Sequence, residues 1–402
     1  MVLMGILAFW IASSCLWAGE AEALAISAQI QARHLPFGTI LDPFVDREGK
    51  ITGYTRCGDS AIWTGHYLAA EAFRFKVTGS LQARQAVNAA LAGIWELVGV
   101  TGNDVLARCY VPANSPYAAG ILREESHHGY FRGICQGRPC YWVGNTSRDQ
   151  YLGVFFGLGV AFELIEDAGV RGAISNLITR MLRRLMADGW SVRMPDGDTS
   201  TVFWTRADQK LGLLILGRRV NPREFSDDYS RSRFWEAATS GLPVAFETLD
   251  PHGSYFKFNL NMATYYHLIS LETNRFYRNF YEDTYQLMRR TVDDHGNAHF
   301  NMIDRALRGP DPVRDAETRA LLEAWLRRPR RDERIDLRGK YRTCGNDERA
   351  CDPLPVELRV RTDFLWQRSP FLLVGGGAGN IEGAGIDYIL PYWMARYYGV
   401  YE

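Results

Sequence analysis

Neither sign of charge is in excess: 46 Lys and Arg stand against 46 Asp and Glu, a formal charge of zero at pH 7. Such a balance offers nothing to nucleic acid or to an anionic membrane surface, and neither is expected as a partner. The CxxC spacing is missing, which argues against a zinc ribbon. The glycine-rich run at 375–379 is not followed by Gly-Lys-Ser/Thr, so it is not a phosphate loop. No motif calls for a cofactor. Strand signals are few and short. An apolar run occupies 1–23 but has no Lys or Arg at its head, and acidic residues follow it too soon for a comfortable membrane span.

What is present is ordinary globular material, 402 residues long with 47% hydrophobic and 23% charged residues. The leader ends in small residues, with Ala21-Glu22-Ala23 as an A-x-A cleavage site. It reads as a signal peptide over 1–23, ahead of a single domain over 24–402 in a secreted or periplasmic protein. Cys15 after Ala-Ser-Ser loosely suggests a lipid anchor, the one membrane attachment to weigh. Setting Cys15 aside leaves six cysteines. Cys135 with Cys140 and Cys344 with Cys351 are sequence-local pairs, which leaves Cys57 for Cys109, as an oxidising compartment allows.

A motif recurs along the chain. Arg148-Asp149-Gln150-Tyr-Leu-Gly opens an apolar stretch, Arg206-Ala-Asp208-Gln209-Lys-Leu-Gly opens another, and Gly58-Asp59-Ser60 leads a third containing Trp63 and His66. Helices that are apolar all round are buried all round. Each is followed by an amphipathic partner, over 80–98, 170–187 and 231–239. Further pairs are predicted at 256–271 with 274–290 and at 297–307 with 316–326. The last pairs 385–398, where Pro391 must start or kink the helix, with 21–34. Six hairpins with a buried inner ring resemble the (α/α)6 toroids among carbohydrate-active enzymes, an all-α class with long functional loops on one face. The resemblance is architectural and spans nearly all of the chain beyond residue 20; it brings no catalytic signature. A helical solenoid and a terpene-cyclase-like barrel are alternatives, the latter without its aspartate-rich box.

In a toroid the starts of the inner helices share one rim, which would gather Asp59, Asp149, Asp208 and Asp387. Two carboxylates across a cleft are what glycosidic cleavage requires. The competing reading is an N-cap, which Asp performs well without any chemistry. Ser147 and Ser60 could cap in place of Asp149 and Asp59, so these two are the best catalytic candidates, followed by Asp208 and Glu382. Trp63, His66, Trp142, Trp204, Arg148, Gln150, Arg368 and Asp387 are candidate substrate contacts, with His127 in the long 103–142 insertion. Trp366 is a further stacking candidate. No metal site is assigned: His295 and His299 are spaced i, i+4, but Gly296 and Asn297 argue for a turn, and the oxygen-rich loops at Asp196/Asp198 and Asp293/Asp294 are common without metal. The leading expectation is a glycoside hydrolase. The alternatives are a polysaccharide lyase using Tyr130 or His127 with Arg148 and Asn145, or a glycan-binding toroid without chemistry.

Overall fold

The computed structural model describes residues 19–345 and 348–401. The apolar leader up to residue 18, with Cys15, lies outside them. Ala21-Glu22-Ala23 lies inside the first helix, α1 (Glu20–Gln29), where Ala23 is fully buried.

Strands β1 (Asp42–Val45) and β2 (Ile51–Thr55) lead to the helix pair α2 (Ser60–Thr78) and α3 (Leu81–Gly99). Strand β3 (Cys109–Pro112), helix α4 (Ala118–Glu124) and strands β4 (Tyr130–Cys135) and β5 (Arg138–Val143) lead to α5 (Arg148–Leu164) and α6 (Ala168–Ala187). Next, β6 (Ser191–Arg193) and β7 (Thr199–Val202) precede α7 (Ala207–Val220) and α8 (Pro222–Glu236), and α9 (Leu242–Glu247) precedes α10 (Tyr255–Leu271) and α11 (Arg275–Thr291). The pair α12 (Ala298–Arg308) and α13 (Pro312–Leu326) is followed by β8 (Arg331–Asp336), β9 (Val374–Glu382) and α14 (Ile386–Tyr397). Pro391 sits inside α14, not at its start. The all-α expectation is corrected here: the chain is mostly helical, but nine strands form antiparallel sheets in the orders β2-β1-β9-β8, β3-β5-β4 and β6-β7 among the described residues. Their alternation is too brief to register as a periodic signal.

Helix neighbours follow the predicted pairing, but the outer partners α8 and α13 begin at Pro222 and Pro312, ahead of the expected 231 and 316. Helix α2 packs on α5, α5 on α7 and α10, α7 on α10, α10 on α12, and α12 on α14; α14 then returns to α2. Helices α3, α6, α8, α11, α13 and α1 pack on the outside of these six in turn. Burial explains the division. In α5 the run from Gln150 to Ala161 is buried on every side, whereas α11 is strongly amphipathic and buries only Tyr281, Tyr285, Met288 and Arg289.

Caps divide in the same way. Ser80, Asp167, Asn274 and Asp311 cap the outer helices α3, α6, α11 and α13 through their side chains, while the inner α2, α5, α7, α10 and α14 have no side-chain cap; the exceptions are the inner α12, capped by Asn297, and the uncapped outer α1 and α8. Links from an inner helix to its outer partner are short. Every strand lies in a link from an outer helix to the next inner one. The elaborated segments therefore feed the uncapped inner N-termini.

The six remaining cysteines come together in three pairs at disulfide distance. Cys57 and Cys109 have Cα atoms 5.5 Å apart, Cys135 and Cys140 5.9 Å, and Cys344 and Cys351 4.8 Å. The first pair fastens the approach to α2 onto β3 and spans 52 residues of chain, against 5 and 7 for the other two. On loop-closure entropy, removing it costs about 4 kcal/mol and removing either local bridge about 2 kcal/mol. A Cys57→Ser/Cys109→Ser double variant is thus expected to melt well below variants lacking a local bridge. Equal melting temperatures, or six free thiols by mass spectrometry in protein folded under oxidising conditions, would contradict this.

Candidate active site

Two inner helices start side by side. Gln150, in the first turn of α5, accepts the Ile62 N–H of α2 on Oε1 at 3.0 Å and donates from Nε2 to Asp59 Oδ1 at 3.0 Å. Arg108 fixes the same two helix starts from behind. It donates to the Gly58 carbonyl (2.7 Å), the Asn145 carbonyl (2.9 Å) and Ser147 Oγ (2.7 Å), and its Nη1 stands 3.8 Å from Asp59 Oδ1.

In front of these starts lies a cleft of about 540 Å³ lined by Asp59, Ile62, Trp63, Asp149, Phe256, Gln367 and Arg368. A second recess of about 610 Å³ adjoins it, shares Asp149 and Phe256, and adds Arg148, Thr201, Arg206, Gln209 and Lys257. Asp149 stands at the junction of the two.

Neither Asp59 nor Asp149 caps its helix. Asp149 Oδ1 is buried and meets no hydrogen-bond donor among the described residues, an unusual state for a buried carboxylate oxygen. Asp59 lines the cleft and keeps 44% of its side chain exposed. Burial there, with the charges of Asp363 and Asp149, pushes its carboxyl up to about 7, against the opposing pull of Arg108 and Gln150.

The other predicted residues are dispersed. Trp63 presents only an edge to the cleft: its Nε1 donates to Asp363 Oδ2 at 2.9 Å, and its ring stacks on Phe364 at 5.0 Å between centroids. His66 lies beneath, fully buried, with Nδ1 2.9 Å from the Ile62 carbonyl and its pKa lowered to about 4 by burial. Arg148 is on the wall and donates to the Val202 carbonyl at 3.0 Å. Burial, with Arg206 nearby, lowers its pKa. Arg368 is exposed at the cleft edge, 3.2 Å from Thr362 Oγ1.

Asp208 does not reach the cleft. It is fully buried and held in a fork by Arg206 at 3.0 and 2.7 Å, and Arg206 also binds Glu247 and Asn261. Glu382 ends β9, away from the cleft lining; Gln29, Arg33 and His34 surround it, and His34 and Arg33 hold its carboxyl down to about 2 despite the cost of burial. Asp387 is buried behind Trp366 and accepts the Leu365 N–H at 3.1 Å. Trp142 and Trp366 are each 1% exposed, in the core rather than on a rim, and Trp142 packs on Phe131. Trp204 is exposed but outside the lining.

His127 belongs to the 103–142 insertion, which folds into its own small sheet. There, ligating atoms of Glu125, His127 and His128 lie within 4.8 Å of one another, the described group best able to hold a metal ion. Glu125 is already engaged, by the Gly58 N–H and by His128.

The sequence reading missed Arg108, Phe256, Lys257, Asp363 and Gln367. Only Arg108 carried a signal, standing beside a cysteine whose partner, Cys57, is two residues before Asp59.

No family model and no curated protein matches the chain. Among solved structures it is similar to the cellobiose 2-epimerase from Spirochaeta thermophila DSM 6192, with 11% identity over 70% of this chain and 86% of that one and a TM-score of 0.29. A likeness this loose says nothing about chemistry.

Asp59 has a consequence for stability. Between its ordinary value of 3.8 and about 7, the folded protein keeps a proton on this group that the unfolded chain releases, so raising the pH through that window costs stability. Asp59→Asn is expected to melt above the wild type at pH 8, with the gain shrinking toward pH 4. Melting curves in which the difference is flat with pH, or reversed, would contradict the assignment.

Proposed function

We propose that the protein is a secreted or periplasmic glycoside hydrolase built on an (α/α)6 toroid, with Asp59 as general acid and Asp149 as base or nucleophile. The observation that carries this reading is the pair of uncapped acids on one cleft, where burial and the neighbouring Asp363 and Asp149 raise the Asp59 carboxyl toward neutral pH. An acid with a pKa near 7 can hold a proton and deliver it to the leaving glycosidic oxygen. Asp149, which lines both recesses and does not cap its helix, can accept a proton from water or attack the anomeric carbon. Gln150 orients Asp59. Phe256 and the edge of Trp63 offer apolar surface to a sugar ring, and Arg368, Arg148 and Lys257 offer donors to its hydroxyls.

A lyase acting on uronates is the second reading, favoured by Arg148, Arg206 and Lys257 on one wall. Elimination needs a base near the sugar, and among the described residues the Tyr or His expected in that role is not in the lining, which leaves Asp149 or Lys257 for it. Tyr130 and His127 belong to the insertion instead. Hydrolysis fits the lining better.

The test is turnover on a panel of oligo- and polysaccharides, read as new reducing ends and, for the lyase, as the absorbance of an unsaturated uronide. Asp149→Asn and Asp59→Asn should each lose about 100- to 10,000-fold in rate while still folding. Wild-type turnover should fall as pH rises through about 7, where Asp59 loses its proton. Near-normal turnover in both variants would overturn the mechanism. Unsaturated product would replace it with elimination.

A further inference from the structure

Behind the Trp63 to Asp363 hydrogen bond lies a third, narrower recess, between the end of α13, β8 and the entry to α14. Its lining brings together Arg56, Arg328, Arg330, Arg331 and Arg361 with Asp332, Asp363 and Asp387. Five guanidinium groups thus face three carboxylates. Only Arg56 is neutralised directly, by Asp42 at 2.6 Å outside the recess. Among the described residues, no carboxylate lies within ion-pair reach of the other four arginines. Arg330 spends its donors on Gln29 and on the Gly383 and Ala384 carbonyls.

Arg328 and Arg361 do not. Arg328 is 9% exposed and makes one long bond, 3.3 Å from Nη2 to the Arg359 carbonyl; its Nη1 is buried without a partner. Arg361 Nε is likewise buried and unpartnered. A buried guanidinium with an idle donor is costly, and the half-buried Arg361 nearby adds like charge. Burial, with Arg361 close by, lowers Arg328 to about 10, although Asp387 opposes the shift. Asp387 is a poor counter-ion, since burial raises its own pKa and the Leu365 N–H occupies Oδ2.

We infer that this recess is an oxyanion-binding site, in which Arg328 and Arg361 receive a carboxylate, sulfate or phosphate group that is either free or carried on a sugar. The guanidinium fork matches the paired oxygens of such groups, and an oxyanion in the recess would supply the counter-charge that Arg328 and Arg361 lack among the described residues. The inference does not depend on the hydrolytic reading, because the recess is separated from Asp59 and Asp149 by the Trp63–Asp363 wall.

Calorimetric titration of the full chain with inorganic sulfate, inorganic phosphate, glucose 6-sulfate, glucose 6-phosphate, glucuronate and neutral glucose, each at matched ionic strength against sodium chloride, tests it. At least one oxyanion should bind while glucose does not, and Arg361→Gln should weaken that binding about tenfold or more. Binding of sulfate or phosphate that glucose 6-sulfate and glucose 6-phosphate do not exceed assigns a free anion; tighter binding of either sugar ester, or binding of glucuronate alone, assigns a sugar-borne group. Arg328→Gln should act likewise. If it fails to fold for want of its bond to Arg359, Arg361→Gln decides alone, since Arg361 donates no hydrogen bond among the described residues. No oxyanion binding above the chloride control, or equal affinity in Arg361→Gln, would overturn the inference.

Discussion

Helices α2 and α5 touch backbone to backbone, and the geometry of the cleft follows from that contact. A Cβ on Gly65 would run into the carbonyl of Gly153, and a Cβ on Gly157 into the carbonyl of Gly65. With side chains between them, packed helices stand 8–10 Å apart; glycine removes that spacer. Only at the shorter distance can Gln150 reach from α5 to the Ile62 N–H of α2 and hold Asp59 with its other amide atom. The proximity of Asp149 to Asp59, and with it part of the upward shift of the Asp59 carboxyl, comes from the same approach. A sequence feature with no polar atoms thus sets the electrostatics of the most polar place in the fold.

The cleft is unfavourable locally and secured by its surroundings. Helix starts without a cap of their own must find partners for their N–H groups elsewhere, as Ile62 does in Gln150 and Ala61 in the Arg108 carbonyl, and two acids near one another repel. The compensation is nearby. The Cys57–Cys109 pair fastens the segment just before Asp59, and Arg108, adjacent to that pair, ties both helix starts through three hydrogen bonds. Sites that act on a ligand are commonly where local rules are broken and the scaffold makes up the difference. By contrast, the outer helices α3, α6, α11 and α13 carry ordinary Ser, Asn and Asp caps.

The helices were legible because burial on all sides and burial on one side leave different periodicities, and three of the expected segments begin on the residue that caps the helix, Ser80, Asn274 and Asn297. The strands were not, being short pieces inside connections. Asp59 and Asp149 were legible as acids at helix starts that had another residue available as a cap. Asp208 shows the limit of that reasoning. Its motif resembles that of Asp149, but Arg206 precedes Asp208 by two positions, whereas Arg148 directly precedes Asp149. The longer spacing lets Arg206 fold over and clamp Asp208 in a buried fork, while Arg148 turns away to the Val202 carbonyl. Similar letters one position apart give a structural ion pair in one helix and an open carboxylate in the other. Glu382 and Asp387 were placed by proximity to a helix start in sequence, but the β9 ladder and Trp366 carry them to other sides of that start.

Overall charge conceals how charge is distributed. A chain with 46 acids and 46 bases has no long-range field to attract a polyanion. That sum is silent about a recess a few residues wide. The Trp63 indole, hydrogen-bonded to Asp363 and stacked on Phe364, divides an acidic compartment containing Asp59 and Asp149 from a basic one containing Arg328 and Arg361. Asp363 lies on the boundary. It helps to raise the Asp59 carboxyl and belongs to the lining of the arginine recess. An oxyanion placed against Arg328 and Arg361 would add negative charge on the far side of that boundary and offset part of the arginine field. With less positive charge behind Asp363, the ionised form of Asp59 would be less favoured, and its carboxyl would keep its proton to a higher pH. The two compartments are in this way electrostatically linked through one wall, although no side chain of either lines the other.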